Sequence, residues 1–505
     1  MHDLHKSLNR PSDSYRFIFW SIVLFGLFFI LTSYPMMKVR FDIWQHIGNI
    51  DRLIFDSEAK ITRSNWHAVW AFIIRSIGSS DVFTHAIIVH RSQFILNAII
   101  IYQASKLIFA ALFLQDHFEN LRNRKEWISS LGISSVLIWF TIIGTASTFQ
   151  QAWIMWYSVN YQITLSFLFL SLALIVNVIT NPRSNTFDLL NALKISISFI
   201  LFLLVYLFHA GELAYLIIYL PALALCFVNA KNFYKMVFLF VALIVIAYFA
   251  EKFYVDIRPE LVEILLNGDL ISLYNKINVY GDYNILGGNR LNSNWNELYS
   301  LSIFMIVPIT VLVWNANNYI DKRVVFFIIL SLIFCFIPNF KFTAGLASLI
   351  SYAEIVNRYY FASCIFLILP LLIYLILIKF KKIRSPAMLI FTTIFCMYLI
   401  FMYSKYINNK GIYFENVQSI LKSRKDSNMS IGVNDLEIQS IGVQIQAAQK
   451  KYGSEKFTYC STYDKGHILK YVYRLPNVAF DRFPDYYAFN LNECMKSFAN
   501  SVAIN

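Results

Sequence analysis

The sequence predicts an all-α polytopic membrane protein with a small α/β domain at its C-terminal end, and three observations lead there. About eleven apolar runs are long enough for bilayer work. Of the 505 residues, 58% are hydrophobic and only 14% charged, where a globular chain carries roughly a quarter. Beyond residue 403 the pattern changes to ordinary charge content and mixed periodicity.

The first apolar run, Phe17 to Leu31, follows Lys6, Arg10 and Arg16. No small-x-small cleavage site follows it, so it reads as a retained signal anchor with its N-terminus inside. Further spans are expected near 84–114, 127–147, 162–180, 195–208, 213–228, 236–250, 300–314, 324–338, 359–378 and 386–403, with the first at 17–35. The pair 195–208 and 213–228 forms one long apolar stretch broken only by His209-Ala210-Gly211-Glu212, and each half is short for a straight span. Charge asymmetry argues for two spans there. The inner segments then hold 16 Lys or Arg in 65 residues, against 12 in 135 for the outward ones. Merging the pair would place Lys231, Lys235, Lys322, Arg323 and the basic run from Lys379 to Arg384 outside.

This topology leaves three large outward pieces: a first loop over 36–83, a middle loop over 251–299, and a tail from Ser404. Residues 1–403 read as one membrane domain and 404–505 as a second, with helical periodicity over Asp435 to Lys451 and strand-like runs such as Lys456 to Cys460. No internal repeat is visible, which disfavours a transporter built from duplicated halves.

The net charge of +13 would suggest nucleic acid in a soluble protein, but much of it lies between apolar runs, where it orients helices. Cys226, Cys335, Cys364 and Cys396 lie in apolar segments and read as packing residues, whereas Cys460 and Cys494 lie in the outward tail, where an oxidising compartment would let them pair. No Cys-x-x-Cys or His-x-x-x-His spacing points to a metal, and His85 and His90 are five apart, unlike a helical ligand pair. Gly-rich phosphate loops and Gly-x-Ser-x-Gly elbows are missing, so nucleotide-dependent chemistry is not expected.

Polar residues gather instead at the outer face. Arg40-Phe41-Asp42-Ile43-Trp44-Gln45-His46 follows the first span, and Asp42 and His46 stand one helical turn apart, with Asp51-Arg52 further along the same loop. Asp42 is either a catalytic carboxylate or a loop cap paired with Arg40. Arg91, in the second apolar run, snorkels to the interface or meets a substrate phosphate. His209 and Glu212 mark a hairpin tip and read as substrate-binding groups or as a satisfied turn. Lys341 and Glu354 lead to Arg358-Tyr359 at an outer helix entrance, where Arg358 suits an anionic phosphate or pairs with Glu354 at i, i+4. Arg258 and Arg290 in the middle loop are similar candidates. Trp44, Trp66 and Trp295 read as sugar-stacking platforms or as aromatics buried in loop packing.

The acidic first loop, the many spans with short inner loops, the late Asn357-Arg358-Tyr359-Tyr360 with Pro370 downstream, and the outward C-terminal piece resemble the type C (GT-C) glycosyltransferases. The length, the large first loop and the tail are similar to the phage-type serotype-converting enzymes that add glucose to bacterial O-antigen. The resemblance implies a GT-C-like fold in the bacterial inner membrane, N-terminus cytoplasmic and tail periplasmic. It also implies a polyprenyl-phosphate sugar donor, a lipopolysaccharide O-antigen acceptor, and a flippase and a donor-synthesising glycosyltransferase as partners. Many members carry two adjacent acidic residues in that loop. Here Ile43 follows Asp42, so no cofactor is assigned and metal dependence stays open.

The residues fit such a reaction. Asp42 would serve as base for the acceptor hydroxyl, with His46 orienting it or bonding the acceptor. Arg358, Lys341 or Arg91 would stabilise the departing phosphate, and Trp44, His209, Glu212, Arg290 and Tyr359 would contact substrate. A single displacement would invert the anomeric centre. Two other readings stand beside it: an O-antigen polymerase or ligase, and a lipid-linked sugar transporter or flippase, which would place its charges at the bilayer midplane.

Overall fold

The structure is a computed structural model. It describes residues 41–55, 64–78, 82–113, 121–145, 160–180, 189–209, 213, 215–227, 263–264, 266–286, 305–314, 320–335, 341–350, 364–379, 388–396, 399, 443–444, 447, 450, 459–461 and 478–480. These are almost entirely helical. We number the helices α1 (Phe41–Phe55), α2 (Ser64–Ile77), α3 (Val82–Leu112), α4 (Leu121–Thr145), α5 (Asn160–Thr180), α6 (Leu189–His209), α7 (Leu216–Phe227), α8 (Leu270–Leu286), α9 (Lys322–Phe334), α10 (Lys341–Ile350) and α11 (Ile365–Lys379). Two short strands, β1 (Tyr459–Ser461) and β2 (Val478–Phe480), pair in parallel, Cys460 opposite Ala479, and so are not the arms of a hairpin.

Among the described residues three helices are long and apolar enough to cross a membrane: Ile95–Leu112, Ile163–Thr180 and Leu189–His209. Shorter apolar helices cover Ile218–Phe227, Met305–Trp314 and Phe366–Leu377. The spans expected near 17–35 and 236–250, and the pairing of Cys460 with Cys494, lie outside the described residues. Two compact units divide the chain, one of Met1–Phe25, Ile95–Met155 and Asn160–Gly411, the other of Gly26–Phe94, Trp156–Val159 and Ile412–Asn505. One boundary between them falls inside α3.

In the first unit, α4 and α6 start earlier than the apolar runs because polar residues in their first turns find partners. α6 begins at Leu189 rather than 195: the Lys194 ammonium donates to Asn177 Oδ1 at 2.8 Å, and Asn177 Nδ2 donates to the Leu107 carbonyl at 3.3 Å. With 21 residues, α6 is about 30 Å long. This corrects the expectation of a half-length hairpin: His209 ends a full-length helix, and α7 is a separate one. α5 and α6 meet through small residues, the Ser171 and Ser198 hydroxyls lying 2.6 Å apart. α6 leaves Leu189, Leu193, Phe199, Ile200 and Leu207 exposed, an apolar side suited to lipid.

α4 likewise starts at Leu121, not 127, because Arg124 caps the end of α3, donating to the carbonyls of Ala110 (2.9 Å) and Phe113 (2.8 Å). Burial lowers the pKa of this guanidinium. Beside it, the Asp321 amide donates to the Leu112 carbonyl at 2.8 Å, while its carboxylate caps α9 through the Arg323 amide and takes the Arg323 fork at 3.0 and 2.7 Å. Those hydrogen bonds raise the Arg323 pKa. The C-terminal end of α3 and the N-terminal ends of α4 and α9 thus meet at one end of this unit. Between the ends, Phe169, Tyr219, Phe327 and Phe366 pack ring against ring, and the buried Ser331, Ser348 and Thr393 hydroxyls turn back to the carbonyl four residues earlier. Cys335 and Cys364 are buried and free, in keeping with packing roles; Cys226 and Cys396 are half-buried.

The segments read as outward, 251–299 and 339–358, contribute α8 and α10, which pack against each other. A Cβ at Gly345 would land on the Ile277 carbonyl oxygen, and one at Gly281 on that of Lys341, so only glycine allows the backbones to touch. Ile277 and Leu349 form the small core between them. Asp269 precedes α8 and accepts from the Ser272 amide at 3.0 Å. Hydrogen bonds from Ser272, side chain then backbone, lower its pKa.

Two outcomes are expected. Gly345→Val forces α8 and α10 apart and costs about 1–3 kcal/mol, read as a lowered unfolding temperature in detergent. Because the Asp269 pKa is lowered in the folded chain, its cap is intact above the ordinary carboxylate range and is lost as pH falls through the lowered value. The protection of amides 270–273 against exchange, taken relative to the intrinsic rate at each pH, should therefore fall at acid pH in the wild type, and Asp269→Asn should blunt that dependence.

Candidate functional site

The second unit packs α1, α2 and the first third of α3 around a polar centre. On α1, Ile47, Ile50 and Leu53 are buried at helical spacing, and Asp51 falls on that inner face, 3% exposed. On α2 the inner face is Trp66, His67, Trp70, Ala71 and Ile74. On α3 it is His85, Val89 and Gln93, at intervals of four. Each helix thus buries a polar residue, and each buried polar residue meets another helix, as burial without water requires.

Three contacts join them. Asp51 Oδ1 lies 3.4 Å from His85 Nδ1, tying α1 to α3. The Trp66 indole N–H donates to Gln93 Oε1 at 3.1 Å, tying α2 to α3. His46 Nδ1 and His67 Nε2 are 2.9 Å apart, tying α1 to α2. Their planes differ by 13° and their centroids are 5.1 Å apart, which is the N–N distance plus a ring radius on each side. The imidazoles are therefore edge to edge and nearly coplanar, an N–H of one aimed at the lone pair of the other, and not stacked face to face. Trp66 stands nearly perpendicular to both rings, at 83° and 84°. Outside this centre, Arg75 donates to the carbonyls of Leu53 and Ile54, both at 2.8 Å, closing the end of α1.

The structure places the expected site residues as follows. Asp42 lies in the first turn of α1, one turn before His46, and Trp44 between them; the side chains of Asp42 and Trp44 lie outside the description. His46 is half-buried, and the partner shown for it is His67. Arg91 belongs to α3 by its backbone. Lys341 opens α10 and is exposed, and His209 ends α6 and is buried; both belong to the first unit. Glu212, Arg290, Arg358 and Tyr359 lie outside the described residues. Of the tryptophans, Trp66 is 1% exposed, so it is the buried reading that holds and no sugar stacks on it here.

Sequence reasoning missed His67, His85, Gln93 and the inward placement of Asp51. A signal existed: each is a polar residue in register with an apolar helical face, and for His85 the informative spacing was to Gln93, not His90. Among the described residues, no three or more His, Cys, Asp or Glu side chains are gathered to hold a metal ion. Comparison of the chain with protein-family models, curated proteins and solved structures finds no match in any of the three. The arrangement offers a buried scaffold of paired polar groups under a helix that carries a carboxylate and an imidazole one turn apart.

If Trp66 acts as part of that scaffold, Trp66→Phe keeps the ring but removes the donor to Gln93. A loss of about 1–2 kcal/mol in stability is expected, with no specific change in sugar binding, read by thermal unfolding beside a ligand titration.

Proposed function

We propose that the protein is an integral membrane glycosyltransferase that moves a hexose, glucose by the resemblance above, from a polyprenyl-phosphate donor to a lipopolysaccharide O-antigen acceptor. In this reading about eleven helices cross the bacterial inner membrane, the N-terminus is cytoplasmic, and residues 404–505 form a periplasmic α/β domain. The observation that carries the proposal is the placement of Asp42 and His46 one turn apart on α1, a helix anchored from below by the Asp51–His85 and His46–His67 contacts. A catalytic base needs a rigid seat, and these pairings supply one for the helix that bears it.

The chemistry then runs as one displacement. The acceptor oxygen attacks the anomeric carbon as its proton passes to the Asp42 carboxylate, the bond from that carbon to the phosphate oxygen breaks, and polyprenyl phosphate departs with inversion. Cationic groups, with Arg358, Lys341 and Arg91 as candidates, take up the charge developing on the phosphate. Lys341 stands at the start of α10.

The test is transfer of labelled glucose from polyprenyl-phosphate-glucose to O-antigen in membranes with wild-type protein or Asp42→Asn at matched levels. Transfer should fall by about 10²–10⁴-fold in the variant. Unchanged transfer removes Asp42 from the mechanism. Absence of transfer by the wild type overturns the glucosyl reading and directs the assay to other lipid-linked sugars, then to polymerase, ligase and transporter activities.

A further inference from the structure

The geometry points to His67 as a positioning residue that fixes the tautomer of His46 and shares the proton His46 takes up. The inference rests on the reading of His46 as part of the transfer site.

The edge-to-edge arrangement decides between two roles for a close histidine pair. Two imidazoles that ligate one ion direct both lone pairs at the ion. Here the 2.9 Å line from Nδ1 to Nε2 lies along both ring planes, so the two nitrogens address each other and one hydrogen lies between them. The pair is built to hold a proton. With Nδ1 of His46 committed in this way, any proton His46 exchanges outside the pair passes through its Nε2.

His67 is placed to impose that constraint. It is 1% exposed, and Trp66, pinned to Gln93, stands edge-on to its ring. His46 is the half-buried member and projects from the anchored helix. In the tautomer in which His46 donates from Nδ1, a proton accepted at His46 Nε2 lets the Nδ1 hydrogen shift along the N–H···N line to His67 Nε2, which carries the positive charge to the second ring. A second proton would leave two cations facing at contact distance, so the pair takes up one proton and titrates as a unit. The other ionisable groups on α1, α2 and the part of α3 in this unit are Asp42, Asp51, Arg52, Arg75, His85, His90 and Arg91. Asp51 faces His85, Arg52 is exposed, and Arg75 is directed to the carbonyls that end α1.

The experiment titrates individual histidines in the full-length protein by hydrogen–deuterium exchange at imidazole C2, read by mass spectrometry. In the wild type, His46 and His67 should share a midpoint displaced from that of an exposed histidine. His67→Phe should move the His46 midpoint by about one pH unit or more, and His67→Gln, whose amide oxygen accepts from Nδ1, should return it toward wild type. His46→Gln should move the His67 midpoint in turn, which keeps the test intact if the phenylalanine variant folds poorly. In transfer assays the acid limb of the rate profile should move with His67→Phe and return with His67→Gln. Independent His46 and His67 midpoints that ignore each other's substitution overturn the inference. A wild type that shows coupled midpoints but transfers no sugar would sink the glycosyltransferase reading while leaving the dyad standing.

Discussion

Polar side chains inside an apolar helix bundle have no water to turn to, and most of what is distinctive here follows from where each one finds a partner. Asp51 and His85, Trp66 and Gln93, His46 and His67 are three separate answers to the same problem, and together they hold α1, α2 and the start of α3 in one arrangement. A mispaired register would strand at least one of these groups in a dry interior, a penalty larger than any single hydrophobic contact there. Specificity of packing and rigidity of the helix bearing Asp42 therefore have one source.

The same constraint sets helix ends in the first unit. Terminal carbonyls of α3 would be orphaned at Leu112 and Phe113, and they are met by Asp321, Arg124 and an isolated bridge to Ile320. Charged residues that look like interruptions in a hydropathy reading, Lys194 and Arg124 among them, lie within helices because an acceptor waits across the contact. Between α8 and α10 the backbones approach closely through Gly281 and Gly345.

Much of the fold was legible in the residues. Helix positions followed from apolar runs: the described helices overlie most of the expected segments within a turn or two, and three of them are long and apolar enough to cross a membrane. The errors fell at starts, since hydropathy penalises a lysine or arginine regardless of the partner it will meet. The separation of α6 from α7 was legible from charge asymmetry between loops. The candidate site was less so. Asp42 and His46 could be placed one turn apart on a helix from spacing alone, but the partner shown for His46 comes from chain 21 residues away, and spacing along one helix says nothing of the facing one.

Read from its residues alone, this is a chain of long apolar helices with a carboxylate and an imidazole on one short helix, because periodicity and apolar length are local properties of the chain. Which buried residue pairs with which, that Trp66 faces inward, and that His46 is held edge-on by His67 were decided only by tertiary structure. Those facts depend on the crossing of separate helices, and hydrogen-bond geometry is settled at distances of a few tenths of an ångström that no one-dimensional pattern encodes.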